Sequence, residues 1–139
     1  MSTVIRPKIS EKNKYYIDKH RYYELKHFCL QYSDWKKAYA SCTESIIFTT
    51  SIERESSSNI PSDITAKYAI KRAYYAERIK IVEQMALEAD DFLFPYILRG
   101  VTEGLSFTYL KTKLEIPCSR DTYYDRYRKF FWLLSEARK

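Results

Sequence analysis

Only two of the 139 residues are glycine, Gly100 and Gly104, and only four are proline. So few glycines leave no room for a phosphate-cradling loop, which needs several at close spacing. The same scarcity of turn residues, beside abundant Glu, Lys, Arg, Leu, Ile and Ala, argues for helices over sheets. Cysteine is equally sparse: Cys29, Cys42 and Cys118 are odd in number and lie far apart. They form neither a disulfide framework nor a metal-ligand cluster. His27 and Cys29 are two residues apart, which on a helix points them in different directions and excludes a shared metal. No apolar run approaches the ~20 residues that cross a bilayer, and residues 1–14 lack the apolar stretch of a secretory signal. The expectation is an all-α, reduced, cytoplasmic protein with no metal, no cofactor and no membrane span.

What the chain does have is positive charge and tyrosine. The formal net charge is +6, and it is uneven. Residues 1–32 carry seven Lys/Arg against three acids and residues 93–139 nine against five, whereas residues 33–92 carry eight against ten. The basic surplus therefore sits at the two ends, as suits a polyanionic partner without identifying one. Fourteen tyrosines supply rings that pack in a core, stack on bases or hydrogen-bond phosphate, and packing is the commoner use of any one of them.

Residues 1–52 read as a basic arm followed by an N-terminal helical segment. Asp18 is a usable N-cap, and Tyr22, Leu25, Phe28, Cys29 and Tyr32 recur at helical spacing behind it. Ser33 looks like a second cap, opening a short helix whose packing face is Trp35 and Tyr39. The run "IIFTT" is rich in β-branched residues and reads equally as extended chain or continued helix. Residues 53–63, with their serines, Asn59 and Pro61, read as a linker.

Residues 64–139 begin with the longest helical signal, through Ala89. Ile64, Tyr68, Tyr75, Ile79, Val82, Ala86 and Ala89 recur at threes and fours. A helix of that length suggests self-association through Tyr75, Ile79, Val82 and Ala86; an internal spine fits the same stripe. Asp90, Asp91 and Pro95 then suit the start of another helix, which runs toward Gly104. With Ser106 as N-cap, Leu105 and Leu110 occupy the two positions of a hydrophobic staple. Pro117 disfavours helical backbone at Ile116, and Ser119 can cap a final helix.

A short helix, a tight connection and a longer helix describe a helix-turn-helix, whose second helix lies in the DNA major groove. In the last helix, Tyr123, Tyr127, Phe130 and Leu134 form a core stripe widened by Phe131. The alternative stripe, Tyr124, Tyr127, Phe131 and Leu134, would turn Tyr123 outward. With the first, Arg120, Thr122, Arg126 and Lys129 stand on the opposite side. Arginine can donate two hydrogen bonds to guanine, and Thr122 can meet a base or a thymine methyl. Lys111, Lys113, Arg128 and Lys129 look like phosphate contacts, which position without reading sequence. Asp121 and Asp125 speak for an ordinary solvated face instead, since they repel phosphate.

The stretch "LRGVTEGLSFTYLKTKLEIPCSRDTYYDRYRKFFWLL" resembles the C-terminal part of small regulators from phages and integrated elements of Gram-positive bacteria, the RinA and ArpU-like group. It resembles more loosely the promoter-reading domain of sigma factors. The likeness lies in Gly104–Phe107, in "IPCSRDTYY" and in "YRKFF", and covers about residues 90–135. It implies DNA binding, with Ser119, Arg120, Thr122 and Arg126 in the reading role, and RNA polymerase as a further partner. The first 60 residues match no assignable module.

The leading expectation is a sequence-specific, double-stranded-DNA-binding transcription regulator of phage or mobile-element origin. Two other classes fit a small basic helical chain: a DNA-recognition subunit of a phage packaging machine, and a mobile-element inhibitor that binds a host nuclease or its guide RNA. An enzyme is not expected, since the sequence holds no nucleophile elbow and no paired-carboxylate arrangement beyond surface acids.

Overall fold

A computed structural model describes residues 12–55 and 63–139, and all of their regular structure is helical. Six helices follow in order: α1 (Lys19–Cys29), α2 (Tyr32–Glu55), α3 (Asp63–Ala89), α4 (Phe94–Glu103), α5 (Phe107–Leu114) and α6 (Arg120–Ala137). No strand occurs among the described residues, and no helix is long and apolar enough to cross a membrane. The chain falls into two compact units. One joins the described residues up to Gln31 with Ile81–Lys139; the other is Tyr32–Lys80.

The first unit is built around α6. Tyr123, Tyr124, Tyr127, Phe130, Phe131 and Leu134 are all buried, so both stripes legible in the sequence face the interior. The reason is that α6 is covered from two directions, with α1 and α4 both packed against it. α1 contributes Leu25, Phe28 and Cys29; α4 contributes Ile97 and Val101; Phe107 and Leu110 come from α5. An aromatic ladder runs along α6: Phe107 to Tyr123 at 5.9 Å, Tyr123 to Tyr127 at 5.9 Å and Tyr127 to Phe131 at 4.9 Å between ring centroids. Tyr22 of α1 meets Phe131 edge-on at 5.1 Å, and its hydroxyl lies 2.6 Å from that of Tyr127. Pairs of this kind add about 0.5–1.5 kcal/mol each beyond the area they bury.

The two ends of this packing are held by different means. At the C-terminal end, the Arg21 guanidinium donates to the carbonyls of Ser135 at 3.2 Å and Arg138 at 2.9 Å. The Ser135 carbonyl lies in the last turn of α6 and Arg138 is its C-cap, where no intrahelical donor remains, so α1 supplies the cap. Arg138 in turn stacks over Phe28 at 3.7 Å. Near the N-terminal end, Tyr123 lies against the backbone of α4 at Gly100. A Cβ built on Gly100 would come within 2.2 Å of the Tyr123 hydroxyl. Glycine here is a matter of space, since a Cβ at this point would force the Tyr123 side chain to shift. The same hydroxyl is buried without a hydrogen-bond partner.

The second unit holds α2 and the first part of α3. α2 is one continuous helix of 24 residues, so Ser33 is not a cap and the expected short helix extends through "IIFTT" and into the start of the proposed linker. Helical continuity satisfies the backbone of this run, whereas a lone extended segment has no strand to pair with. Residues 1–11 of the basic arm and 56–62 of the linker lie outside the described residues. Within this unit Thr65 donates to Thr49 at 2.9 Å, and Arg72 lies 5.8 Å from the Tyr39 ring. Only Trp35 and Cys42 are buried there among the described residues.

The long-helix signal is confirmed as α3, but not as a single exposed seam. Val82 and Ala86 have no exposed surface and belong to the core of the first unit, and Tyr75 and Ile79 are half-buried. Val82 and Ala86 therefore cannot serve as contacts with a second chain.

The Gly100–Tyr123 contact predicts a non-additive pair. Gly100→Ala should destabilise by about 1–3 kcal/mol, the range for overpacking a filled core. Tyr123→Phe removes an unsatisfied hydroxyl and should be neutral or mildly stabilising. In the double variant the new methyl faces the ring carbon, 3.4 Å away, instead of the oxygen, and most of the loss should be recovered. Urea unfolding of the four proteins measures the coupling.

Candidate nucleic-acid interface

Residues 100–122 are shaped by four successive local devices. α4 stops at Gly104, whose φ of 69° is left-handed, and Leu105 N–H bonds back to the Gly100 carbonyl at 3.1 Å. Glycine reaches that conformation without a Cβ penalty. Ser106 then caps α5 by accepting from the Tyr109 amide at 3.2 Å, with Leu110 buried at the staple position. α5 ends at Glu115, which is also left-handed at φ 54°, while Ile116 N–H closes onto the Leu110 carbonyl at 3.0 Å and its side chain is fully buried. Last, Ser119 caps α6 through the Thr122 amide at 3.2 Å. Five residues, 115–119, thus separate an eight-residue helix from one of eighteen.

At the start of α6, Ser119, Arg120, Asp121 and Thr122 are all exposed. The Ser119 hydroxyl donates to Thr122 Oγ1 at 3.0 Å, so the two hydroxyls act together. The Arg120 guanidinium reaches Thr108 Oγ1 at 3.5 Å and sits 5.2 Å from the Phe107 ring. That position ties the α6 start to α5 while leaving the guanidinium at the surface. Lys111 and Lys113 are exposed on the last turn of α5, where they also complement the helix dipole. Tyr109, 41 % exposed, and Thr108 and Thr112 share the solvent side of α5. These three were not singled out from the sequence. The capping register around Ser106 already placed them on the side of α5 away from Phe107 and Leu110.

Arg126 stands apart from this group. Its Nε donates to Asp90 Oδ2 at 3.0 Å, and a terminal nitrogen donates to Asp125 at 2.8 Å. The Asp90 carboxylate also accepts from the Leu93 amide at 2.9 Å, which closes the turn leading into α4. Arg126 is therefore occupied in joining α6 to the α3–α4 junction. Arg128 and Lys129 are half-buried, and Arg128 Nε is enclosed without a hydrogen-bond partner. Of the eight residues expected to face DNA, Lys111, Lys113, Ser119, Arg120 and Thr122 are exposed, while Arg126, Arg128 and Lys129 are half-buried.

The described residues contain no cluster of His, Cys, Asp and Glu able to hold a metal ion. No protein-family model matches the chain, and no curated protein or solved structure matches it.

Two predictions concern this region. Burial works against ionisation of Asp90, but the Leu93 amide, the Arg126 guanidinium and the Phe92 amide outweigh it and hold the carboxyl below its ordinary value of 3.8. A depressed carboxyl contributes stability above its unfolded pKa and loses it as pH falls through the folded one. Asp90→Asn should therefore be less stable than the parent at neutral pH, by about 1 kcal/mol or less for this partly exposed pair. The difference should shrink as pH drops below 3.8, followed by thermal melts across a pH series. Glu115→Gly relieves a left-handed backbone and should be neutral or stabilising by up to about 1 kcal/mol, against destabilisation if the Glu115 side chain holds the turn.

Proposed function

We propose that α5, the 115–119 connection and α6 form a helix-turn-helix that reads double-stranded DNA, and that the protein is a transcription regulator of phage or mobile-element origin. The observation that carries this reading is the first turn of α6. It projects a capped helix start bearing Ser119, Arg120 and Thr122 into solvent, and Lys111 and Lys113 are exposed on the last turn of the preceding helix. In a helix-turn-helix the N-terminal residues of the second helix meet base edges while the first helix crosses the backbone. Arg120 is then the base reader, since its planar fork can donate twice to guanine, with Thr122 beside it. Lys111 and Lys113 contact phosphates. Arg126 acts as a positioning residue through Asp90, and its removal would disturb binding only by loosening α6.

Acids temper the surface: Asp121 lies between Arg120 and Thr122, and Glu115 lies in the turn. Attraction for DNA of any sequence should accordingly be modest, and discrimination should depend on Arg120. Selection from a random duplex pool with purified protein tests the reading. A defined motif supports it, and no enrichment at near-physiological salt opposes it.

Single substitutions separate the roles. Arg120→Ala should cost about 1–3 kcal/mol on the selected site and relax preference at one base position. Lys111→Ala and Lys113→Ala should weaken selected and scrambled duplexes alike and each lower the salt slope by about one. Fluorescence anisotropy across a salt series gives both quantities, with circular dichroism checking the fold of each variant.

A further inference from the structure

α2 carries two faces. One bears Trp35, Cys42 and Thr49, at steps of seven, which are buried or half-buried, and Thr49 is bonded to Thr65. The other bears Ser41, Glu44, Ile47, Phe48, Ser51 and Ile52, again at threes and fours, and every one of them is exposed. Ile47 is 62 %, Phe48 66 % and Ile52 48 % exposed. Ile64, 56 % exposed, precedes Thr65 and so lies at the same level of the α2–α3 pair. Four large apolar side chains thus crowd one level of the unit and remain in solvent.

Charge marks the same place. From Ala38 to Ile52 the helix carries a single charged residue, Glu44, and from Ser45 to Ile52 none. A surface helix normally keeps charged residues on its solvent face, and one lacking them over two turns is normally covered. Among the described residues of its own unit, none covers this one. The rest of the unit offers little compensation, since its only buried side chains among the described residues are Trp35 and Cys42.

We infer that this α2 face is a dimerisation surface, and that its occupant is the same face of a second copy of the chain. Three considerations select a second copy. The patch is nearly uncharged, so it meets its own image with little repulsion, while a nucleic acid or an anionic membrane would require cations there. Its area fits: at ~180 Å² per large side chain the four residues expose roughly 400 Å² of apolar surface. That is half of the ~800 Å² per partner of a standard interface, the remainder being a polar rim, for which Ser41, Glu44 and Ser51 are at hand. Finally, two loosely buried helices gain a core when a second pair is laid on them, as in a four-helix bundle, and a twofold dimer is the commonest closed assembly. The inference stands independently of DNA reading, because no residue of α5 or α6 takes part.

Analytical ultracentrifugation of the full chain tests it, with Phe48→Glu and Ile47→Lys as separate variants. Both positions are exposed, so neither substitution disturbs the chain's own packing. The parent should sediment as a dimer at about 100 μM, and each variant should raise the dissociation constant at least about a hundredfold at unchanged helical circular dichroism. A parent that remains monomeric at that concentration would overturn the inference. So would a dimer that both variants leave intact, which would place the contact elsewhere, or a monomeric parent that binds lipid vesicles through Phe48.

Discussion

The close approach of Tyr123 to Gly100 determines how near α6 can lie to α4, and the other contacts of α6 follow from it. With a glycine at that point the Tyr123 ring settles against helix backbone, and Phe107 of α5 packs on Tyr123 and Tyr124 together. α6 then presents its remaining aromatic edge, Tyr127 and Phe131, to Tyr22 of α1. One small residue thus permits six apolar positions of an eighteen-residue helix to be buried at once. The cost is an enclosed tyrosine hydroxyl with no partner, and burial raises its pKa well above that of a free phenol.

A helix gripped along most of its length has little surface to offer, and this decides what can bind there. The middle of α6 is taken up by packing and by the Asp90–Arg126–Asp125 pairs. What remains exposed, besides Glu136 and Ala137 at its far end, is its first turn, fixed by the Ser119 cap and by the link from Arg120 to Thr108. Exposed donors on a rigid helix start suit recognition of a polyanion with defined geometry, because little side-chain order has to be gained on binding. The lysines of α5 extend that surface, and the neighbouring acids keep it from being a simple cationic patch.

The caps at Asp18, Ser106 and Ser119 and the stop at Gly104 were legible in the sequence, because each depends on residues within a few positions. So were the all-helical class, the long α3 and the burial of Tyr123. What escaped was set by partners distant in the chain. Arg126 looked like a base reader because it stands opposite the stripe of Tyr123, Tyr127, Phe130 and Leu134, but its partner Asp90 lies 36 residues earlier. Val82 and Ala86 continue the stripe of Tyr75 and Ile79, yet the helix passes from one compact unit to the other between them. The β-branched run at 46–50 suggested two states locally, and the surrounding helix resolved it. Likewise the face of α1 that buries Leu25, Phe28 and Cys29 is packed with α4 and α6, which lie far along the chain.

The proposed meeting place with DNA is the exposed start of α6 together with the solvent side of α5. Backbone amide chemical shifts, followed by NMR while a duplex is titrated into the labelled protein, test this most directly. The largest changes should fall on residues 107–113 and 119–122, with the Gly100 and Tyr123 amides little affected. Changes confined to α2 and α3, or none at saturating duplex, would contradict it.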